Sequence, residues 1–454
     1  MDLGELQGKS ISVIGAARSG IAVAKLLQSR GARVFVSDRE SRERLKTQLD
    51  VLESTGIAFE AGEHSDRAYR CSLMVISPGV PGNAPVVQKA RESGIRIVGE
   101  LEVASWFCKA SIVAVTGTNG KTTTTTLIGR MLADAKRDHG VAGNIGTAFS
   151  SLALELAETS VAVLEVSSFQ LDHIETFHPR VAAILNITPD HLDRYGGSFE
   201  EYVESKSRIF KNQGANDTLI YNCDDTVTAG RAMNLRDSAV QLLPFSTEQS
   251  LSSGACVKKN KVVIANDNRM DELMDVREIR IRGRHNLYNA MAAALAARTV
   301  DVSADSIRQT LMSFEGVEHR LEFVRELNGV RYVNDSKGTN VNSVWYALQS
   351  FDEPIVLLLG GRDKGNDYSL LKEPVQKKVR AIVALGESAD TVVENFKHLT
   401  RVVKVTSMDG AVGQAERLAQ RGDVVLLSPA CSSFDWFENY EHRGRVFKEL
   451  VNRL

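Results

Sequence analysis

Short apolar runs rich in β-branched residues recur along the chain, and most are followed by a segment whose apolar residues fall three and four apart. SISVIG (10–15) leads into AARSGIAVAKLLQSRG, and ARVFVSD (32–38) then supplies a second strand ending in an acid, a pattern that predicts a βαβ unit. LMVISPGVPGN (73–83) predicts a short strand breaking into a Pro/Gly loop, and ELEVASWFCKA predicts a helix that closes this first unit near Lys109. Next come a strand, SIVAV (111–115), a glycine loop, TGTNGKTT (116–123), and a helix, TTTLIGRMLADA (124–135). VAVLEVSSFQL (161–171) and VAAILNIT (181–188) read as buried parallel strands, and SFEEYVESKSRIFKN (198–212) as an amphipathic helix with Tyr202, Val203, Ile209 and Phe210 on its apolar face. KKNKVVIAND predicts a hairpin, and GRHNLYNAMAAALAARTV (283–300) a strong helix. Beyond it VRYVNDS, PIVLLLGG, VRAIVALGE, VVKVTS and DVVLLSP alternate with helical patterns, which predicts a second doubly wound sheet.

Length changes this picture only by dividing it: 454 residues suit two or three domains of about 100 to 200 residues each. The periodicity assigns 1–109 to a Rossmann-like N-terminal domain, 110–316 to a central phosphate-loop domain with a mostly parallel sheet, and 317–454 to a Rossmann-like C-terminal domain, an α/β protein throughout. A net charge of −2 gives no electrostatic reason to expect nucleic acid or an anionic membrane as partner. The five cysteines lack C-x-x-C spacing, so neither a zinc site nor a disulfide framework is indicated. The opening residues MDLGELQGKS do not resemble a signal peptide, and no apolar run approaches the roughly 18 residues of a membrane span. A cytoplasmic protein without membrane insertion is expected.

The chemistry concentrates at the carboxyl ends of the predicted strands. In TGTNGKTT the glycines let backbone N–H groups converge on phosphate oxygens, Lys121 can reach terminal phosphates, and a threonine hydroxyl can ligate Mg2+. The spacing is shorter than the usual phosphate loop, whose first glycine would stand at Val115. In the first unit Gly15 and Gly20 are kept but Ala17 replaces the middle glycine of a dinucleotide fingerprint, and Asp38 stands where a ribose-binding acid would; this favours a nucleotide-like ligand held in another way than NAD(P). Ser77, at a strand end, reads equally as ligand contact or turn cap. Glu165 breaks an apolar strand downstream of the phosphate loop, a common place to hold Mg2+. Asp190 and Asp193 flank His191 in a loop after a strand, compatible with either a structural or a functional histidine. Lys206, within its helix, reads as a solvated surface lysine. Asn286 and Asn289 lie in one helix turn, where capping accounts for one of them but hardly both. In the last segment NDSKGTN, GGRDKGND and SPACSSFD follow strands, where such sheets collect ligands.

TGTNGKTT, GNIG, EVSSFQL, ITPDHLDRY, SKSRIF, GRHNLYN, HRLE, NDSKGTN, GGRDKGND and LSPACSSFDWFENYEHRG together resemble the Mur ligases of bacterial peptidoglycan synthesis, in family order across nearly the whole chain. The resemblance implies three domains that bind, in turn, a UDP-sugar, ATP and an amino acid. It also implies an ATP-dependent amide ligase working through an acyl phosphate on small-molecule substrates, UDP-N-acetylmuramoyl-L-alanine and D-glutamate, with ATP and two Mg2+ ions, as a monomer. By the same resemblance ATP contacts fall on Gly117, Thr118, Asn119, Gly120, Lys121, Thr122, Thr123, Asn286, Asn289, Arg320 and Asp335. Metal contacts fall on Thr122, Glu165, His191 and Lys206, the last as a carbamylated lysine, against the surface role read from its helix alone. Lys121, Glu165, His191 and Lys206 form the implied catalytic set. UDP-sugar contacts fall on Arg18, Ser19, Ser77, Asn144 and His191, and D-glutamate contacts on Thr339, Lys364, Ser433 and Tyr440. The loop around Arg18 and Ser19 departs most from the family pattern, and Tyr440 stands where phenylalanine is often found. Competing readings are a sister ligase for L-alanine or a diamino acid, folylpolyglutamate synthase, which would leave the first domain unexplained, and a nucleotide-operated switch.

Overall fold

The computed structural model describes residues 6–144, 146–266, 269–363 and 365–454. The chain divides into two compact units, Met1–Glu278 with Tyr288–Met312, and Ile279–Leu287 with Ser313–Leu454. The first unit contains two sheets and the second one, so the three α/β layers expected from the periodicity are all present.

Strands β1 (Ser10–Ile14), β2 (Arg33–Asp38), β3 (Ala58–Ala61), β4 (Leu73–Ile76) and β5 (Arg96–Gly99) form an all-parallel sheet in the order β3-β2-β1-β4-β5. Their apolar runs are covered on both faces, as parallel strands require. Helix Arg18–Ser29 packs Val23, Leu26 and Leu27 with Ile11, Val13, Val36 and Val75 on one side. Helix Pro85–Glu92 packs Val86, Val87 and Ala90 with Ile14, Met74 and Ile76 on the other. The kept glycines answer to close backbone approach: a Cβ on Gly20 would lie 1.8 Å from the Gly15 carbonyl oxygen, and Gly15 itself has φ +96°. Asp38 is engaged locally, its carboxylate accepting the Ala16 N–H at 2.6 Å and the Glu40 N–H at 2.8 Å.

The second sheet comprises β6 (Ser111–Thr116), β7 (His139–Gly143), β8 (Val161–Glu165), β9 (Val181–Ile184), β10 (Thr218–Asn222), β11 (Gln241–Ser246), β12 (Gly254–Lys258), β13 (Lys261–Asn266) and β14 (Arg269–Asp275). Its order is β14-β13-β12-β11-β10-β9-β6-β8-β7, parallel from β7 to β12, with β13 and β14 antiparallel at one edge. The expected hairpin is β12–β13, turned through Lys259 and Asn260, which both have positive φ. The helix expected over 198–212 is shorter: an α-helix over Phe199–Ser207, then a 3-10 turn over Arg208–Phe210. Lys206 is not a solvated surface residue but 2 % exposed. It lies three and four residues beyond the buried Val203 and Tyr202, so the helical period turns it inward with them.

The second unit holds β15 (Glu322–Leu327), β16 (Val330–Asn334), β17 (Ile355–Gly360), β18 (Val379–Leu385), β19 (Arg401–Lys404) and β20 (Val424–Leu427), in the order β15-β16-β20-β17-β18-β19. β15 is antiparallel to β16 and was not among the expected strands; the rest run parallel. No helix among the described residues is long and apolar enough to cross a membrane.

Candidate active site

In the first unit the site is built where β6, β8 and β9 end. β6 passes its chain to Gly117, whose φ is +150°, and Gly120, with φ +86°, caps helix Lys121–Asp134. The loop between them is pinned to the segment after β9. Thr118 N–H donates to the Asn186 carbonyl at 2.9 Å, and the Asn186 side chain accepts from Asn119 N–H at 2.9 Å while donating to Asn119 O at 3.0 Å. The Thr118 hydroxyl donates to Thr188 O at 3.0 Å and accepts from Thr188 N–H at 3.0 Å. A Cβ on Gly120 would meet the Asn289 amide oxygen at 2.2 Å, so only glycine lets that asparagine stand over the loop. Thr122 and Thr123 follow in the first turn of the helix, with Thr123 buried.

Lys121 folds its ammonium onto the loop, donating to Gly117 O at 2.8 Å and Thr118 O at 2.9 Å. Lys206 donates to the same Gly117 carbonyl at 2.9 Å, with its Nζ 4.7 Å from the centroid of the Tyr202 ring. Burial pushes the Lys206 amine well below the usual lysine range, and the neighbouring Lys121 charge adds to this; Asp190, Glu165 and Asp172 act in the opposite sense. Glu165, at the end of β8, is 3 % exposed and accepts from Asn144 Nδ2 at 3.1 Å. Asn144 N–H donates to Glu165 O at 2.8 Å, and Arg18 Nη2 reaches Asn144 O at 3.1 Å from the first sheet. Asn144 is thus drawn against the acid, and Arg18 against Asn144.

His191 has φ +52°, a left-handed conformation uncommon outside glycine. Its backbone N–H donates to Asp190 Oδ1 at 2.9 Å, and its ring meets the Phe169 ring edge-on at 5.2 Å. Ser77 is buried, its hydroxyl donating to Gly15 O at 3.0 Å, so here it fastens the first-sheet loop. Ser19 lies half-buried in the first turn of helix Arg18–Ser29. Glu165 and Asp190 both act on the Lys206 amine that touches the phosphate-loop carbonyl of Gly117, and carboxylates, with the threonine hydroxyls of the loop, are the hard oxygen donors that suit Mg2+. A positively charged Lys206 would not fit a cation there, whereas a neutral or acylated amine would.

The second unit assembles the other predicted residues by itself. Asp335, just past β16, is 1 % exposed. It accepts from the Ser428 hydroxyl at 2.7 Å and Leu321 N–H at 3.2 Å. Burial raises its pKa to about 6, with the Arg320 charge pulling the other way. Asn286 is buried and donates to Arg282 O at 2.8 Å, which fastens the turn that precedes its helix. The loops NDSKGTN, GGRDKGND and SPACSSFD do converge. Ala430 N–H donates to Gly338 O at 2.9 Å, Arg362 N–H to Ser432 O at 3.0 Å, and Asn366 Nδ2 to Ala430 O at 3.1 Å. Ser433 is buried, Thr339 is exposed, Tyr440 opens helix Tyr440–Arg453, and Lys364 lies outside the described residues.

Two features escaped the sequence reading. Arg443, 1 % exposed, ties these loops together, donating from Nε to Ser336 Oγ at 3.0 Å and from Nη2 to Ser336 O at 2.8 Å, with further bonds to the carbonyls of Cys431 and Ser432. Asn186 clamps the phosphate loop. Arg443 lies in LSPACSSFDWFENYEHRG and Asn186 in VAAILNIT, but an arginine or asparagine that holds mostly backbone groups of distant loops leaves no pattern of spacing to read.

Comparison with known sequences agrees with this architecture. Residues 9–99 match the Mur ligase MurD-like N-terminal domain, 115–297 the Mur ligase middle domain, and 319–431 the Mur ligase glutamate ligase domain. The chain is 49% identical over 457 residues to the UDP-N-acetylmuramoylalanine–D-glutamate ligase of Salinibacter ruber, covering 99% of each. It is 46% identical over 464 residues to the enzyme of the same name from Chloroherpeton thalassium, again covering 99% of each. Among solved structures, a UDP-N-acetylmuramate–alanine ligase from Thermotoga maritima shares the fold with a TM-score of 0.61 at 19% identity, over 98% of this chain and 99% of that one. From its first strand to its last helix, the chain belongs to the Mur ligase family.

Proposed function

We propose that the protein is an ATP-dependent ligase that joins D-glutamate to UDP-N-acetylmuramoyl-L-alanine in peptidoglycan precursor synthesis. The observation that carries this reading is the identity of 49% over essentially the full length of both chains with a ligase so named. The geometry around the phosphate loop is consistent with it.

A carboxylate is a poor acyl donor, so the L-alanine carboxylate must first receive a phosphoryl group from ATP. With the Thr118 and Asn119 N–H groups pinned to Asn186, the amides that face the phosphates are those of the loop's end and helix start, Gly120 to Thr123, and Lys121, now folded on the loop carbonyls, swings to neutralise charge on the transferring group. Thr122, Glu165 and His191 would hold Mg2+, which would supply charge neutralisation for the phosphoryl transfer. Lys206 acts here as a carbamate: its neutral amine, which burial favours, adds to dissolved CO2 and releases a proton, replacing a cation by an anion able to serve a second ion. The D-glutamate amine then attacks the acyl phosphate, a tetrahedral intermediate forms, and phosphate leaves as the amide is made.

The domain limits follow the same reading: 1–109 for the UDP-sugar, through Arg18, Ser19 and Ser77 with Asn144 and His191 added from the central domain, 110–316 for ATP, and 317–454 for the amino acid. In the last, Thr339, Lys364, Ser433 and Tyr440 contact D-glutamate, and Arg320 and Asp335 serve ATP, as do Asn286 and Asn289 from the central segment. The enzyme works as a cytoplasmic monomer. The test is product analysis with UDP-N-acetylmuramoyl-L-alanine, D-glutamate, ATP and Mg2+. A glutamyl product is expected, and stronger turnover when UDP-N-acetylmuramate and L-alanine are supplied instead overturns the proposal.

A further inference from the structure

The loop after β4 and the loop after β9 are joined by one side chain that the reaction scheme above does not use. Arg194 Nη2 donates to the carbonyls of Pro78 at 3.3 Å and Val80 at 3.4 Å, across the divide between the first and second sheets of the first unit. Its guanidinium carbon lies 4.3 Å from the centroid of the Phe169 ring. That ring is also stacked on Tyr195, 6.1 Å between centroids and 16° between planes, and it is the ring met edge-on by His191. Arg194 N–H further donates to His191 O at 3.0 Å.

On the far side, the segment that Arg194 grips is the one that shapes the first-sheet loop. Val80 N–H donates to Ser77 O at 2.9 Å, the Ser77 hydroxyl fastens Gly15, and a Cβ on Gly15 would lie 2.9 Å from Ser77 Oγ and 3.3 Å from Val80 Cγ2. Ser77, Gly15, Val80, Arg194, Phe169 and His191 therefore form a continuous chain of contacts, running from the nucleotide-like end of the first sheet to the histidine of the segment after β9, whose residues Asn186 and Thr188 hold the phosphate loop. Elsewhere the same two sheets are joined by Glu102, whose carboxylate accepts the backbone N–H groups of Glu175, Thr176 and Phe177, each at 2.9 Å. That join anchors the mass of the sheets; the Arg194 join sits at their ligand-bearing ends.

We propose that Arg194 is a positioning residue for the sugar-nucleotide substrate. By holding the Pro78–Val80 carbonyls against the Phe169 ring, it fixes the span between the loop that receives the nucleotide end and His191, near which the acyl end must lie. The inference rests on the proposed function for the identity of that substrate, but the hold on the loop does not depend on it.

The experiment compares the full-length wild type with Arg194→Met, which keeps the stem but removes the charge and the hydrogen bonds, and with Arg194→Lys, which keeps the cation over the ring. Because Arg194→Met removes two hydrogen bonds and a cation–π interaction, it is expected to raise KM for UDP-N-acetylmuramoyl-L-alanine about tenfold, with KM for ATP and kcat within about twofold and Arg194→Lys intermediate. Hydrogen exchange of the 77–83 segment is expected to quicken in Arg194→Met while that of helix Lys121–Asp134 stays as in the wild type. Unchanged KM for the sugar nucleotide with unchanged exchange overturns the proposal. So does an equal rise in all KM values with a lowered melting temperature, which is general destabilisation. If the wild type makes no glutamyl product, the proposed function fails, and the exchange measurement still decides whether Arg194 holds the loop.

Discussion

At the scale of single residues, burial decides the chemistry more than identity does. An ordinary lysine is protonated at neutral pH, but Lys206 shares the Gly117 carbonyl with Lys121 and is almost fully buried, which pushes its amine well below the usual lysine range. If the carbamate reading holds, Lys206→Ala lowers kcat at least about a hundredfold, as loss of a charge-stabilising group does, and added short-chain carboxylic acids restore part of it. Activity equal to wild type in Lys206→Ala refutes the carbamate and leaves the ligase assignment standing. His173 offers a test by pH. Burial lowers its pKa to about 4, with Asp172 opposing and Arg91, Arg208 and Arg194 reinforcing. Its folded value is below its unfolded value, so the unfolded chain binds the extra proton first as pH falls. Its contribution to stability is therefore complete above about pH 6.5 and is lost progressively towards pH 4. The urea midpoint of the first unit should fall over that window, and His173→Gln should flatten the fall; an equal slope in the variant refutes the assignment.

At the scale of elements, the phosphate loop carries the sharpest constraint. Gly120→Ala would press a Cβ against Asn289 Oδ1 at 2.2 Å in a left-handed backbone, so it should cost about 1–3 kcal/mol and weaken binding of a non-hydrolysable ATP analogue. Retained affinity in a calorimetric titration would count against the loop's role. Much of this level was legible in the sequence. β6 and the glycine loop stand where apolar run and turn residues placed them, the helix expected over 124–135 begins three residues earlier, at Lys121, and the β12–β13 hairpin turns at its Lys-Asn pair. What was not legible depended on partners distant in the chain. β15, EFVREL, alternates with half-exposed positions and has no apolar run, so it reads as a strand only once β16 lies beside it. Lys206 reads as a surface residue because a lysine in an amphipathic helix usually lies outside, yet its spacing from Tyr202 and Val203 turns it inward. Asp38 matched a ribose-binding position in the pattern, yet its carboxylate is taken up by Ala16 and Glu40.

At the scale of the whole molecule, the proposed reaction asks for an acyl phosphate protected from water while an amine is admitted, which calls for closure around the reactants. Small-angle scattering is expected to report a smaller radius of gyration with ATP analogue and sugar nucleotide bound than without them. One unchanged value under all conditions would argue against domain movement in this cycle.

Helix Arg284–Thr299 bears on how the molecule can be taken apart. The division between the two compact units falls within it, between Leu287 and Tyr288, and the chain crosses from one unit to the other three times, after Glu278, Leu287 and Met312. The eight residues Ala290–Ala297 are each no more than 2 % exposed, an apolar helix wrapped on all sides. The next helix is tied back to the phosphate-loop helix by the Thr310 hydroxyl, which donates to Asp134 Oδ2 at 2.8 Å. A protein shortened to end at Glu278 would keep every strand of its nine-stranded sheet and still lose that wrapped helix, exposing the surface it covers. It should aggregate on expression, while one ending at Met312 should stay dispersed. The architecture thus resists dissection at the point where the sheets alone would suggest a clean cut, and gene fusions or fragment libraries made from this protein will need to respect Met312 and not the last strand.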